Sequence, residues 1–200
     1  MYMRSSILSI LVIFLAACKD DSPIPSSDII TIGGTEYQTT KIGTLTWTTL
    51  NYAGPGGVYY DASNSKPEYG KYYSLAELKD IELPEGWRIP TEADYIALAE
   101  FYSITIPSPI SQGDAIKSLT STTHWTHVQG MNTSGFNAYP GGYIFGISDP
   151  IGGDIAEFWT VGGHTLSIQE AGANQSSLRI TFYDSSTSPD YRFNVRFVKG

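Results

Sequence analysis

Two histidines three residues apart, His124 and His127, frame Trp125 and are the first residues whose spacing could do chemistry. On a helix or tight turn such a pair can share a metal ion, with His164, Asp149 or Asp154 as a third ligand. The same spacing also fits histidines that only hydrogen-bond or face solvent. Asp149 and Asp154 bracket a Gly-Gly turn in DPIGGD and offer hard oxygen donors of the kind calcium takes. As Asp before Pro and Asp after Gly they also read as ordinary turn residues. Glu68 or Glu77 with Asp61 would supply the two carboxylates of a glycosidase, but the sequence defines no pocket to join them. Neither a metal nor a cofactor is expected.

Other chemistries find no foothold. There is no G-x-S-x-G, and no cysteine apart from Cys18. The glycine clusters GPGG, PGGY, IGGD and VGGH lack the Lys-Ser/Thr that a phosphate loop needs. With 20 Asp+Glu against 12 Lys+Arg, the chain has no basic face for nucleic acid. The expectation is a protein that is not an enzyme.

Binding is better served. Sugars present apolar C–H faces that stack on aromatic rings, while Asn, Asp and Gln read their hydroxyls. Residues 53–70 carry Tyr59, Tyr60, Asp61, Asn64 and Tyr69 in a segment too polar for a core. Residues 124–139 add Trp125, Gln129, Asn132, Asn137 and Tyr139. Long loops on a rigid scaffold are where such side chains bind ligands. The same tyrosines could instead cover a sheet and tie down its loops.

Cys18 is the one cysteine in 200 residues, so no intramolecular disulfide forms. It follows a short start carrying Arg4 and an apolar run, Ile7 to Ala17, too short to span a bilayer of roughly 20 helical residues but right for a secretory signal. Leu15-Ala-Ala-Cys18 resembles the bacterial lipobox, in which the cysteine takes a diacylglycerol. Residues 1–17 are therefore expected to be a lipoprotein signal peptide, and the protein to sit on a membrane through lipid on Cys18. Lys19-Asp20-Asp21 looks like the acidic export signal of surface lipoproteins of the Bacteroidetes, which implies an outer-membrane address facing outward. Residues 18–28, rich in Pro and Ser, read as the lipidated cysteine and its tether. Loss of Arg4 with the signal would take the net charge from −8 to −9.

The elements that must hold these residues lie in 29–200. With 20 Gly and 11 Pro, a helical bundle is excluded. Two β-branched runs around Gly33-Gly34 predict a hairpin, 29–32 with 35–42, followed by a strand over 45–50. Further strands are expected over 143–145, 156–160, 178–183 and 193–198. In the last two, Leu178, Ile180 and Phe182 share a face, as do Phe193, Val195 and Phe197. Thr91, with Asp94 three residues on, predicts a capped helix over 92–102. Ser74 suggests a short helix over 75–79, and 113–119 a third. The class is α+β: a twisted antiparallel sheet, two or three short helices and long ordered loops.

The segments WTTLNY (47–52), EYGKYYSLAEL (68–78), LPEGWRIPTEADYIAL (83–98), SGFNAYPGGY (134–143), EFWT (157–160) and VRFVK (195–199) occur in that order. Together they resemble the Fibrobacter succinogenes major paralogous domain. The resemblance implies a C-type lectin-like fold over the domain 29–200. It also implies a cysteine before the PEGW element and another in the final strand, where this chain has Leu83 and Phe197; an apolar pair could fill that space. The expected function is non-catalytic binding at the cell surface, to a glycan or another protein. An assembly component of an outer-membrane complex would instead show a contiguous exposed apolar patch. An enzyme would show a pocket with two converging titratable groups.

Overall fold

A computed structural model describes residues 28–200; the expected signal, Cys18 and most of the tether lie outside the described residues. Ile29–Ile32 (β1) and Thr35–Ile42 (β2) form the expected hairpin. Gly33 and Gly34 turn it at φ +58° and +79°, left-handed values that side chains resist. Leu45–Thr48 (β3) continues the sheet, and Val198–Lys199 (β12) inserts between β3 and Trp87–Arg88 (β6). A second sheet runs Val58–Tyr59 (β4), Lys71–Ser74 (β5), Tyr191–Phe193 (β11), Ile144–Phe145 (β7). The third is Ser177–Asp184 (β10), His164–Ala171 (β9), Ile155–Trp159 (β8). Every strand pair within these sheets is antiparallel.

Among the described residues two α-helices accompany the sheets, so the α+β class holds. Glu92–Phe101 (α1) starts at a reciprocal cap: the Thr91 hydroxyl accepts from the Asp94 N–H, and the Asp94 carboxylate accepts from the Thr91 N–H. Arg88 closes the arrangement with two guanidinium contacts to Asp94. Gly113–Ile116 (α2) runs into a 3-10 turn at Lys117–Leu119.

Two expected elements differ, and strands arise where none was expected. The helix placed at 75–79 is one 3-10 turn, Glu77–Asp80, because Ile81 swings to extended backbone and packs inward. The strand placed at 193–198 is split into β11 and β12, each pairing in a different sheet. His164–Ala171, an eight-residue central strand, was not anticipated.

Apolar side chains fill two cores. Trp47, Tyr95, Phe136 and Phe158 anchor the first, onto which the third sheet turns Leu166, Ile168, Leu178 and Ile180. Tyr52, Tyr73, Trp159, Phe193, Val195 and Phe197 build the second. Phe197 is buried there and Leu83 packs against the same cluster, so the two positions where the resemblance implies cysteines are filled by apolar contact.

The recurrent sequence segments meet at Arg196. Its guanidinium is fully buried and donates to Asn51 Oδ1 (2.6 Å), the carbonyls of Thr48 and Phe136 (2.8 Å each) and that of Asn137 (2.9 Å). The rings of Phe136 and Phe158 lie 4.9 and 5.4 Å from its central carbon. Burial pulls its basicity down, yet acceptors and π-faces surround the cation, and a guanidinium stays charged at neutral pH. One side chain thus ties WTTLNY, SGFNAY, EFWT and VRFVK together.

Candidate functional site

The 53–70 and 124–139 regions converge on a cluster of rings. Tyr69, placed by a 3-10 turn at Pro67–Tyr69, is buried and forms its floor. Tyr60 meets it edge-on at 5.6 Å, His124 at 5.8 Å, and Tyr139 lies 6.1 Å away. His124 and Tyr139 are themselves 5.8 Å apart. Two neighbours bring the charge: Glu68 Oε1 is 3.1 Å from His124 Nε2, and Lys66 Nζ sits 4.6 Å from the Tyr60 centroid and 5.0 Å from that of Tyr69. His124 adopts φ +76°, a left-handed backbone that is uncommon outside glycine.

Tyr60, Tyr69 and Tyr139 are therefore brought together, and His124 joins them. Glu68 lies beside them through His124, and the remaining sequence-derived candidates have other partners. Tyr59 is on β4, its ring 4.7 Å from Lys71 Nζ. Asp61 closes its own loop by accepting from Ser63 and Ser65, bonds that hold its carboxyl down at about 2. Asn64 and Asn132 take left-handed turn positions, φ +50° and +48°. Trp125 packs against the first core and donates to the Ala138 carbonyl at 3.3 Å. Glu77 is committed to Ser74, Gly57 and Arg192.

The histidine pair is split between separate carboxylates. His127 Nδ1 is 2.7 Å from Glu170, whose other oxygen accepts from the His127 and Val128 N–H groups. His124 faces Glu68 instead, and His164 pairs with Glu92. Among the described residues no group of three His, Cys, Asp or Glu could hold a metal ion.

A second feature escaped the sequence reading. Glu157 projects from β8 on the face of the third sheet opposite the first core, into a cleft of about 330 Å3. Tyr143, Tyr183 and Tyr191 wall it, with Gln169 and Asp184 alongside. Glu157 is only 5% exposed, and burial pushes its carboxyl up to about 7. Ser167, directly across the ladder, is the one polar side chain that pulls it back. The Ser167 hydroxyl itself makes no well-formed hydrogen bond. Asp184 behaves differently: Ser186 donates to it through both N–H and hydroxyl, lowering its carboxyl and closing the turn after β10. The sequence signal was present in EFWT, where a Glu between Ala156 and Phe158 must share a strand with fully buried neighbours.

An antiparallel α+β domain, with its loops gathered by a buried arginine, is the class of protein these observations define. The chain matches the Fibrobacter succinogenes major domain over residues 34–199, and it belongs to that family. No curated relative and no solved structure matches it.

Proposed function

We propose that the protein is a lipid-anchored bacterial surface protein whose domain, lectin-like as its family resemblance implies, binds a glycan without catalysis. The observation that carries the reading is the convergence of Tyr60, Tyr139 and His124 over the buried Tyr69. Segments more than fifty residues apart thereby present ring faces beside Glu68 and Lys66. Rings of this kind stack on sugar C–H faces, and the flanking acid and amine suit hydroxyl recognition. Lys66 already lies against Tyr60 and Tyr69, so a sugar must displace its ammonium or hydrogen-bond to it.

Binding rather than turnover is favoured because the cleft that gathers Glu157 and Asp184 holds Glu157 uncommitted but Asp184 engaged by its own turn. Probing a glycan array with the protein tests the reading directly. Signal on a chemically related set of glycans is expected, and silence across plant, host and bacterial glycans would contradict it. Anchoring rests on the Leu-Ala-Ala-Cys18 segment and is tested by palmitate labelling, which Cys18→Ala must abolish.

One observation favours a second reading, as an assembly component. Phe145 at the end of β7 and Ile147 and Ile151 on the excursion that follows it are exposed, with Ile147 wholly in solvent. Ile147→Glu with Ile151→Glu would then release the protein from an outer-membrane complex on native gels, while leaving glycan binding intact.

A further inference from the structure

Burying a carboxyl group is costly unless a cation or hydrogen bonds compensate it. Glu157 has no such compensation: among the described residues it takes part in no ion pair, and its ladder partner offers only a serine hydroxyl. Yet the side chain lines a cleft rather than a sealed core. No cation of the surrounding elements pairs with it: Arg179 on β10, across the ladder from Gln169 on the same sheet face, is exposed and forms no ion pair with Glu157. The third sheet contributes Gln169, Tyr183 and Asp184, the last with His164 Nε2 at 3.9 Å; the loop before β7 contributes Tyr143, and β11 contributes Tyr191. Arg192, next along β11, is engaged by Glu77. Tyr143 and Tyr191 sit 6.0 Å apart at 60°, and both flank Phe193.

A buried acid, aromatic walls and a second acid at the rim are the complement of an organic cation. Ring faces attract ammonium groups through their quadrupole, most strongly where water is excluded. A carboxylate adds charge-assisted hydrogen bonds that an N–H-bearing cation can use. We propose that the cleft walled by Tyr143, Tyr183 and Tyr191 is a binding site for an aliphatic primary ammonium group, with Glu157 as its counter-ion. The site shares no residue with the ring cluster around Tyr69 and does not depend on the glycan reading. The shared chemistry could come from a lysine side chain of a peptide or from a free amine, and the two are separable.

The cation requires Glu157 ionised, so the affinity must rise with pH. With the carboxyl titrating at about 7, the ionised fraction grows roughly tenfold between pH 6 and pH 8. A lysine-type ammonium stays charged throughout, because its pKa is about 10.4.

Isothermal titration of the full-length protein in neutral detergent micelles tests this with three probes: Nα-acetyl-lysine methylamide, putrescine, and the neutral Nα,Nε-diacetyl-lysine methylamide. At least one charged probe should bind, about tenfold tighter at pH 8 than at pH 6, while the neutral probe stays silent. Binding of the lysine probe alone assigns a peptide side chain; binding of both shows that a free amine suffices. Glu157→Gln should lower the affinity at least tenfold at pH 8. In the wild-type protein, saturating probe should also move the Glu157 carboxyl titration, followed by carbon NMR, to lower pH. Silence of both charged probes, equal binding of the neutral one, or an unmoved Glu157 titration under saturation would overturn the proposal.

Discussion

Arg196 Nε donates to Asn51 Oδ1 across 2.6 Å, joining residues 145 positions apart in a site from which solvent is excluded. Asn51 is held in turn, because its amide donates to the Tyr69 carbonyl at 2.9 Å. Asn194 reaches the same carbonyl at 3.0 Å. The floor of the ring cluster is therefore fastened to the buried arginine through one asparagine, which couples the fold's central polar knot to its candidate binding surface.

Removing that guanidinium strands four acceptors in the core. Arg196→Met should cost about 3–5 kcal/mol, the range for breaking a buried charged network. Urea denaturation at pH 7 measures it. A loss below about 1 kcal/mol would show that water or repacking replaces the cation.

Asp94 predicts an acid-side dependence. Burial alone would push its carboxyl up, but hydrogen bonds from Arg88 and Thr91 outweigh it and hold the group at about 2. Because the folded value lies below the ordinary 3.8, the stabilisation is complete above about pH 4 and is lost as pH falls through 2. Arg88 is half exposed, so solvent screening limits the effect to about 1 kcal/mol. Asp94→Asn should lower stability by that amount at pH 7, with the difference from wild type closing near pH 2.

Glu157 carries the opposite sign. Its folded value, raised from 4.5 to about 7, means that the folded state keeps a proton which the unfolded chain releases. Stability from this group is full below about pH 4.5, falls as pH rises to 7, and is flat above. Glu157→Gln should thus match wild type at pH 4.5 and exceed it by about 3 kcal/mol at pH 8. Paired urea titrations at the two pH values decide it, and equal stabilities at pH 8 would refute the buried-acid account.

Gly142 offers a steric prediction. A Cβ there would lie 1.5 Å from the Ile151 carbonyl oxygen, and its φ of +66° disfavours any side chain. Gly142→Ala should destabilise by more than about 2 kcal/mol, because backbone on both sides must move. A thermal melt within a few degrees of wild type would contradict the close approach.

The sequence was most legible where one residue type has one use. Gly33-Gly34 demanded the hairpin, and Thr91 with Asp94 marked the start of α1. The order of the motifs identified the family. Strand β9 was missed because its second face carries Thr165, Ser167 and Gln169, small polar groups that read as loop although Thr165 and Ser167 are buried. FNVRFV alternated as one strand should, yet Asn194 and Arg196 spend their side chains bridging two sheets there. Of the candidate site, the tyrosines were visible as types, and three of them meet. Glu157 was visible only as an acid among buried neighbours in EFWT; that no cation pairs with it is a property of packing.

The glycan-binding claim rests on rings that reach a ligand while carrying little of the fold. Its most direct test is the affinity of a Tyr60→Ala, Tyr139→Ala variant for the strongest glycan bound by the wild type, measured beside its melting temperature. Both rings are only partly buried. The account predicts at least a tenfold loss of affinity, about 1.4 kcal/mol, with the melting temperature shifted by no more than a few degrees. Undiminished affinity in a folded variant would contradict it.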